Sequence, residues 1–270
     1  MIRVIEVKKI FTDGENGRVV RALDNVNLFV GENEFVCVVG QSGSGKTTLL
    51  NLIAGFEMPT SGRIFFQNRE VKGPGTDRGV VFQQPTLFPW LTALENVEFG
   101  LRNLGMPLPE RTEKAARFLR LVGLETFSCA RPHELSVGMQ QRVAIARVLA
   151  MDPEVLLMDE PFGALDAITR EQLQDELLEI LALHKKTVVF VTHSVEEAVY
   201  LGDRIVVLGR PPGSVRCEMT IPFCRPRSRS STEVRDFSET VRRKLAHGRT
   251  EEGGPSASVV KIIPDKRYEE

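Results

Sequence analysis

The stretch EFVCVVGQSGSGKTTLLNLIAG, residues 34–55, decides the fold class of this 270-residue chain. It begins as a short apolar run rich in β-branched residues, passes through a glycine-rich turn and continues as a helical segment that ends at Gly55. Two more runs, residues 155–158 and 187–191, are too apolar on both faces for surface strands, and they are predicted to be central strands of a covered sheet. We therefore predict an α/β protein with a mainly parallel sheet flanked by helices.

The turn GQSGSGKT, residues 40–47, matches G-x-x-x-x-G-K-[ST], a loop whose backbone N–H groups point at phosphate ahead of a helix. It predicts a P-loop NTPase core. Lys46 is expected to reach the β- and γ-phosphates of a nucleotide, and the Thr47 hydroxyl to bind Mg²⁺. The alternative, a glycine-rich turn with an exposed lysine, is disfavoured by the flanking strand and helix. The expected nucleotide contacts of this segment are Gly40, Gln41, Ser42, Gly43, Ser44, Gly45, Lys46, Thr47 and Thr48.

The run VLLMDE, residues 155–160, is an apolar strand that ends in two carboxylates. Asp159 is expected to hold Mg²⁺ through water, and Glu160 to polarise the attacking water as a general base. Alternation along a strand predicts that the two side chains point in different directions, which suits different roles. The alternative is a pair of acids that only cap the strand.

Composition places the chain among ordinary globular proteins. It is 42% hydrophobic and 26% charged with a formal net charge of −1, which excludes disordered, collagen-like and coiled-coil classes. This balance gives no field that would gather nucleic acid, so no nucleic-acid partner is expected. The apolar runs are far shorter than the roughly 20 residues that cross a bilayer, and the N-terminal MIRVIEVKKI is predicted to be a first strand, not a signal peptide. Four cysteines without metal-ligand spacing are expected to be plain thiols: Cys37, Cys129, Cys217 and Cys224.

Helical periodicity runs from about residue 92 to residue 150 and predicts an inserted α-helical subdomain. The first 35 residues and the segment GRIFFQ at residues 62–67 are predicted to form antiparallel strands beside the nucleotide end of the sheet. One predicted face of the helical insert consists of Ala115, Phe118, Leu119 and Val122. A crossover helix between the two central strands is predicted from the spacing of Leu173, Leu177, Ile180 and Leu181.

Near residue 209 the composition shifts to PPGS and then RPRSRSS, which indicates a boundary. We predict a C-terminal extension over residues 226–270, with a short amphipathic helix and a loose tail. Ser230 and Glu233 are predicted to form the capping box of that helix. Its predicted apolar stripe is Val234, Phe237, Val241 and Leu245. A solvated charged linker, with contact to phosphate or lipid headgroups as the alternative, is predicted from Arg225, Arg227 and Arg229.

The segment PHELSVGMQQRVAIAR, residues 132–147, resembles the signature segment of the ATP-binding cassette (ABC) family. Six motifs stand in that family's order: the P-loop, VVFQQ with Gln83, LSVGM, VLLMDEP, ALD ending at Asp166 and VTH ending at His193. The resemblance covers roughly residues 1–225. It implies one ABC ATPase domain, in which the core carries an antiparallel β subdomain and the α-helical insert.

The resemblance implies a role for each matching residue. Gln83 would lie near Mg²⁺ and the attacking water, and His193 would bind the γ-phosphate. Together with Glu160 and Lys46 they form the expected catalytic set, and Asp166 would lie at a dimer seam. A lone histidine is more often a core or capping residue, and the place of His193 directly after VT favours the catalytic role.

The resemblance also implies a head-to-tail homodimer that encloses two ATP molecules. Ser136 and Gly138 would begin the signature helix and bind the γ-phosphate held by the opposite subunit. Val137 stands where the family usually has glycine, and a β-branched residue takes a positive φ only at a cost. Reduced activity, restored by glycine at this position, is therefore expected.

Phe11 matches the aromatic residue on which the family stacks adenine, with Val20 as a second contact. Simple core packing is the alternative for Phe11. Stacking alone would distinguish ATP from GTP only weakly.

The stretch PTLFPWL, residues 85–91, contains the only tryptophan, Trp90. The resemblance implies that a permease helix docks here, and burial in the core is the alternative. Longer segments, such as GPGTDRGVVFQQPTLFPWLTALENVEFGL, resemble the ATPase subunits of nitrate, sulfonate and taurine importers. Those importers pair two ATPases with integral-membrane permease subunits and an external solute-binding protein, which implies a peripheral protein at the cytoplasmic face of the cell membrane.

Two competing classes remain. A soluble ABC ATPase in DNA repair or cluster assembly would share every phosphate motif. A P-loop GTPase or small-molecule kinase is disfavoured, because the sequence has no N-K-x-D guanine motif and the signature segment would be unexplained.

Overall fold

The computed structural model describes residues 1–12, 19–183 and 185–246. Over these ranges the strands are β1 Ile2–Thr12, β2 Val19–Val30, β3 Phe35–Val39, β4 Ser61–Phe66, β5 Arg69–Glu70, β6 Arg78–Val81, β7 Val155–Asp159, β8 Thr187–Thr192, β9 Arg204–Leu208 and β10 Val215–Thr220. The helices are α1 Lys46–Ala54, α2 Ala93–Asn103, α3 Leu108–Leu121, α4 Val137–Ala150, α5 Ala167–Leu183, α6 Val195–Leu201 and α7 Thr232–Ala246. Two short 3-10 turns, Glu125–Phe127 and Pro132–Glu134, precede α4.

A six-stranded sheet in the order β10-β9-β3-β8-β7-β6 forms the centre of the fold. Its pairs are parallel from β9 to β6, and β10 is antiparallel at the edge. Every residue of β3 and β8 is buried, and alternate residues of β3 join two separate core clusters. Both faces of the sheet are therefore covered, which explains the continuous apolar runs. The predicted α/β class with a mainly parallel sheet is confirmed.

The four-stranded antiparallel sheet has the order β2-β1-β4-β5 and packs with α1 against one face of the central sheet. The core cluster between this sheet, α1 and the central sheet contains Val36 and Val38 of β3 with Leu49 and Leu52 of α1. Strands β1, β2 and β4 are those predicted from the first 35 residues and from residues 62–67, so the antiparallel β subdomain is confirmed, while the two-residue strand β5 was not predicted.

Helices α2, α3 and α4 follow β6 and precede β7 in the sequence, and they pack against one another. Residues 93–150 are all described, and they contain no strand. Thr92 starts α2 with a reciprocal cap, because its hydroxyl accepts the Glu95 N–H and the Glu95 carboxylate accepts the Thr92 N–H. The helical content agrees with the prediction, while the outer limits of the subdomain stay a prediction. The predicted apolar face is buried at Ala115, Phe118, Leu119 and Val122.

The crossover helix α5 connects β7 to β8. It buries Leu173, Leu177 and Ile180, as predicted, and Leu181 packs half-buried at the edge of the same cluster. The helix thereby covers the sheet face opposite α1.

Two further properties concern membranes and metals. In the part of the chain that the structure describes, no helix is long and apolar enough to cross a bilayer. The four cysteines are free thiols, and the described residues contain no group of three or more side chains that could hold a metal ion without other ligands.

The C-terminal segment, which we define as residues 225–246, packs onto the core, so the expected solvated linker is wrong. Arg225 forms an ion pair with Asp203, and Arg229 forms one with Asp175. Arg227 is buried and donates to backbone carbonyls at the end of α6. Each guanidinium therefore has a partner brought close by the fold, which charge spacing along the sequence does not reveal. The boundary expected near residue 209 is also wrong, because β10 follows the PPG turn and extends the central sheet.

Helix α7 exists as predicted, but its cap differs. The Val234 N–H donates to Ser231 Oγ at 3.3 Å, so Ser231 and not Ser230 caps the helix. Ser230 Oγ lies instead 3.0 Å from Ser228 Oγ. The predicted tail beyond residue 246 lies outside the described residues. The predicted stripe contacts the core through Val234, Phe237, Val241 and Leu245.

Candidate functional site

The predicted phosphate loop is the turn between β3 and α1. Gly43 has a φ of 79° and Gly45, the residue before α1, has a φ of 85°. This left-handed conformation costs glycine little. The Leu49 N–H donates to the Gly45 carbonyl at 2.8 Å, which begins the helix. Backbone N–H groups and the positive end of α1 are thereby available to an anion at one place.

Two segments far apart in the sequence pack directly against this loop. An added Cβ at Gly45 would lie 2.6 Å from Leu23 Cδ2 and 2.8 Å from the Ala22 carbonyl oxygen. An added Cβ at Gly213 would overlap the Ser44 carbonyl, and the Gly213 N–H donates to the Ala22 carbonyl at 2.9 Å. The sequence analysis did not identify Gly213 as a support of the phosphate loop. The available signal was its position directly after two prolines.

The Lys46 ammonium is folded back into the loop. Its Nζ donates to the carbonyl oxygens of Gly40 at 2.9 Å and Gln41 at 3.1 Å, and it lies 3.9 Å from Glu160 Oε1. Burial lowers the pKa of this ammonium, and the carboxylates of Glu160 and Asp159 oppose that shift. A cation in this position can neutralise a phosphate held by the loop.

Thr47 and Asp159 bring two oxygen atoms together at the start of α1. The Thr47 hydroxyl donates to Asp159 Oδ1 at 3.1 Å. Burial raises the pKa of the Asp159 carboxyl, while the hydrogen bond from Thr47 lowers it. Within the described ranges, the buried Ser44 hydroxyl has no hydrogen-bond partner. The other predicted loop contacts are exposed or half-buried at the loop surface: Gln41, Ser42 and Thr48.

Glu160 and His193 meet at the ends of the adjacent strands β7 and β8. Glu160 Oε2 lies 2.9 Å from His193 Nδ1, and its other oxygen faces Lys46. Glu160 has a φ of 43°, so regular strand geometry ends at Asp159. Both carboxylates consequently reach the phosphate loop, and strand alternation does not separate them as predicted.

Gln83 lies in the loop after β6. The side chain is exposed, and its Nε2 is 3.7 Å from the position that a Cβ on Gly163 would take, beside the segment that follows Glu160. The hydrogen bonds of the described residues do not join Gln83 to Thr47 or Asp159. Its place in the metal site stays a prediction.

Asp166 begins α5. Its Oδ1 accepts the Thr169 N–H at 3.1 Å and so caps the helix. Arg170, on the first turn, donates to the carbonyls of Phe162 at 3.3 Å and Leu165 at 2.7 Å. This arginine, which sequence reasoning missed, fixes the backbone of the ALD turn.

The signature helix α4 begins as predicted. Ser136 Oγ accepts the Met139 N–H at 3.2 Å, and Gly138 is buried against Thr169. Val137 is the first helical residue, has no positive φ and is 50% exposed. The expected backbone strain at Val137 is therefore wrong, because this position has ordinary helical geometry.

Phe11 and Val20 are paired in register on β1 and β2, and both side chains are exposed. Phe11 is 38% exposed, and Lys9 Nζ lies 4.8 Å from its ring centroid. The alternative of simple core packing for Phe11 is therefore wrong.

Trp90 is 68% exposed, so its alternative of burial in the core is wrong. Its ring centroid lies 5.6 Å from that of Phe88, which is 4.3 Å from that of Phe99 on α2. Arg147 of α4 lies over the Phe88 ring and donates to the Thr86 carbonyl at 3.0 Å. The PTLFPWL stretch thus presents the exposed Trp90 above the half-buried Phe88, and Arg147 joins it to the signature helix.

Residues 23–163 match the family model described as ABC transporter. The chain belongs to the ABC transporter family. This ABC protein is an ATPase and binds ATP, and its predicted P-loop NTPase core and ABC ATPase architecture are confirmed.

Relatives and a solved structure agree with this assignment. A nitrate import ATP-binding protein of Synechocystis is 51% identical over 82% of this ABC chain and 82% of its own length. A taurine import ATP-binding protein of Rhizobium johnstonii is 48% identical over 82% of this chain and 84% of its own length. A dimeric ATP-binding cassette in a post-hydrolysis state, bound to ADP and Pi, is 39% identical with a TM-score of 0.73, over 83% of this chain and 100% of that chain. The predicted resemblance to importer ATPase subunits is confirmed.

Proposed function

We propose that this ABC ATPase hydrolyses ATP in a pocket formed by its phosphate loop, Asp159, Glu160 and His193, and that closure around ATP drives a permease. The observation that carries the proposal is the position of Glu160, whose two oxygens face Lys46 and His193. A carboxylate base therefore lies between the cation that would neutralise the phosphates and the imidazole that would bind the γ-phosphate.

Binding of ATP begins at the phosphate loop. Lys46 would exchange its hydrogen bonds to the Gly40 and Gln41 carbonyls for phosphate oxygens. Charge-assisted hydrogen bonds of this kind contribute about 1.5–3 kcal/mol each. Loop N–H groups and the start of α1 add several contacts to the same anion. The triphosphate would therefore dominate the affinity.

The residues beside the loop fit a magnesium ion. Mg²⁺ prefers oxygen ligands, and the Thr47 hydroxyl and the Asp159 carboxylate lie 3.1 Å apart. The Ser44 hydroxyl, buried without a partner in the described part of the chain, adds a polar group on the same loop. Thr47 directly, Asp159 through water and Gln83 are proposed to hold the ion. When bound, the ion neutralises charge on the phosphate oxygens.

Hydrolysis would use the groups around Glu160. Glu160 would take a proton from the attacking water, and Lys46 would stabilise the charge that develops on the phosphate. His193 presents one ring nitrogen to Glu160, which leaves the other for the γ-phosphate. Gln83, in the loop after β6, would orient the water and report nucleotide occupancy to the helical insert.

Each pocket would be completed by a second copy of the chain. Ser136 and the first N–H groups of α4 form an exposed helix end, and the hydrogen bonds of the described residues do not join Ser136 to the phosphate loop of its own chain. In a head-to-tail homodimer this end, with Gly138, would meet the γ-phosphate held by the partner. ATP would then stabilise the dimer and hydrolysis would release it, with Asp166 at the seam.

Adenine would stack on the exposed ring of Phe11, with Val20 beside it. Such stacking contributes about 1 kcal/mol, much less than the phosphate contacts. Near-equal use of ATP and GTP is expected.

Coupling would occur through the PTLFPWL surface. Trp90, backed by the half-buried ring of Phe88, would receive a helix of an integral-membrane permease subunit, because large exposed apolar side chains mark such docking sites. The ATPase would then be a peripheral protein at the cytoplasmic face of the cell membrane, and an external solute-binding protein would act with it indirectly. The proposed cargo is nitrate, sulfonate, taurine or a related small solute, and the relatives named for nitrate import and taurine import support it.

The experiment that tests the ATPase site compares turnover and ATP binding of the full chain with those of Lys46→Ala. Lys72→Ala, which removes an exposed lysine, is the matched control. We expect Lys46→Ala to lose both properties and Lys72→Ala to keep them. Equal binding and turnover in Lys46→Ala and the parent would contradict the site.

The transport role is tested by affinity purification of the chain from detergent-solubilised membranes. We expect a multi-span permease that is present with the parent chain and lost with Trp90→Ala. A membrane-free complex would instead assign the protein to the soluble ABC ATPases of DNA repair or cluster assembly.

A further inference from the structure

Hydrogen bonds of the residues before and after His193 fix the loop that carries it. The Thr192 hydroxyl accepts the Ser194 N–H at 3.0 Å and donates to Glu197 Oε2. The Ser194 hydroxyl in turn accepts the Glu197 N–H at 3.2 Å. Glu197 therefore holds Thr192 through its carboxylate and Ser194 through its backbone N–H. His193 is the single residue between these two.

Glu197 is itself held from α5. It is buried, and its second oxygen accepts from Gln174 Nε2 at 2.9 Å. Gln174 is buried too, and its Oε1 accepts from Arg229 Nη2 at 3.1 Å. An amide that accepts at its oxygen must turn its NH2 group the other way. Arg229 thereby fixes the orientation in which Gln174 donates to Glu197.

Arg229 is held firmly enough to act in this way. Its guanidinium carbon lies 3.7 Å from the Tyr200 ring centroid, and its Nη2 lies 2.7 Å from Asp175 Oδ1. The Tyr200 hydroxyl donates to the same carboxylate oxygen at 2.6 Å. Tyr200 belongs to α6 and Asp175 to α5, so this arginine joins the C-terminal segment to both helices.

We propose that Glu197 is a positioning residue for His193, and that Arg229 of the C-terminal segment supports it by orienting Gln174. The proposal rests on the catalytic role proposed above for His193. The His193 side chain is 64% exposed, and among the described residues its ring bonds to Glu160 alone. The placement of the imidazole therefore depends on the backbone of its loop, and that backbone depends on Glu197.

Glu197 suits this task because it accepts from two donors. Burial raises the pKa of this carboxyl, while the hydrogen bonds from Thr192 and Gln174 lower it. A glutamine at this position has one acceptor oxygen and cannot accept from both donors in the same arrangement. The substitution Glu197→Gln would therefore change the loop while it keeps the size of the side chain.

The first test measures kcat and KM for ATP in the full chain. Displacement of a reacting group reduces chemistry more than binding, so we expect kcat to fall roughly 10-fold in Glu197→Gln and in Thr192→Val, with KM unchanged. Thr192→Ser keeps the hydroxyl and should restore the parent kcat. Parent values of kcat in both Glu197→Gln and Thr192→Val, or a loss of thermal stability without a loss of kcat, would overturn the proposal.

The second test separates Arg229 from general attachment of the C-terminal segment. Arg225 ties the same segment to Asp203 and does not contact Gln174, so Arg225→Gln is the matched control for Arg229→Gln. We expect kcat to fall about 3-fold in Arg229→Gln, a partial displacement of the loop, and to stay at the parent value in Arg225→Gln. Equal loss in both variants would show that only attachment matters and would overturn the role of Arg229.

A spectroscopic measurement distinguishes failure of this proposal from failure of the proposed function. The ring Cε1–H cross-peak of His193, assigned with His193→Gln, should move in Glu197→Gln and Arg229→Gln and stay in place in Arg225→Gln. If His193→Gln itself retains full turnover, the catalytic role of His193 is wrong, and the peak positions still decide whether Glu197 positions the ring. An unmoved His193 peak in Glu197→Gln would overturn the positioning role.

Discussion

The imidazole Nδ1 of His193 lies 2.9 Å from Oε2 of Glu160, although the two residues are 33 positions apart in the sequence. The parallel pairing of β7 with β8 brings the two strand ends together, and the positive φ of Glu160 turns its side chain toward the phosphate loop. A non-glycine residue in this conformation costs about 1 kcal/mol or more. The fold accepts that cost at the residue we propose as the general base.

The substitution Glu160→Gln tests the general base. We expect ATP binding to persist, because the phosphate loop is unchanged, while turnover falls by about 10²–10⁴-fold, the usual contribution of a positioned base. Glu179→Gln, on the exposed face of α5, is the control. Single-turnover hydrolysis measures the effect, and normal turnover in Glu160→Gln would refute the role.

Gly213 is predicted to support the phosphate loop from outside the motif. In Gly213→Ala the new methyl group would overlap the Ser44 carbonyl, so we expect a loss of about 1–3 kcal/mol in unfolding free energy. ATP affinity should weaken as well, because the loop must shift. Gly73→Ala is the matched control, since nothing lies within 4 Å of a Cβ there. Denaturant unfolding that gives the same value for both variants would contradict this account.

Val137 is predicted to cause no backbone strain. Because it has helical geometry at the start of α4, replacing it with glycine relieves no strain. We expect Val137→Gly to lose at most about 1 kcal/mol of unfolding free energy, the cost of glycine in a helix. Turnover should not rise. A clear increase in steady-state ATP turnover would show that the valine impairs the signature segment.

Arg227 is predicted to be the main attachment of the C-terminal segment. Its guanidinium donates to the carbonyls of Val199, Tyr200 and Gly202 at the end of α6, at 2.8, 3.0 and 2.6 Å. Loss of these donors in Arg227→Gln would leave buried carbonyls unpaired, so we expect a loss of about 2–4 kcal/mol.

The more exposed ion pair of Arg225 with Asp203 provides the comparison. Arg225→Gln should lose at most about 1 kcal/mol, because a partly exposed ion pair contributes little. Chemical denaturation of both variants measures the difference. Equal losses of unfolding free energy in the two variants would mean that the burial of Arg227 does not add to stability.

The central elements could be predicted from the sequence because their signals are local. The run at residues 34–55 gives a strand, a turn and a helix in one stretch, and the structure places β3 and α1 within it. The strands at 155–158 and 187–191 are apolar throughout because both faces are covered, so their burial is readable without knowledge of their neighbours. The candidate site residues then follow, since parallel strands end at the same edge of a sheet.

What could not be predicted depends on contacts between distant segments. Gly213 packs on the phosphate loop, and Arg227 donates to the end of α6; both contacts join segments that are distant in the sequence. Sequence spacing also placed the helix cap on Ser230, one residue away from Ser231. The alternation rule misjudged Glu160 because its conformation departs from a strand at that single residue.

The central claim is that ATP joins two copies of the chain, with Lys46 of one facing Ser136 of the other. Light scattering of Glu160→Gln at saturating ATP tests it most directly, because this variant should bind ATP without consuming it. The account predicts twice the 30.2 kDa mass of one chain, and a return to the single mass when Ser136→Arg is added. A single-chain mass at full ATP occupancy would contradict it.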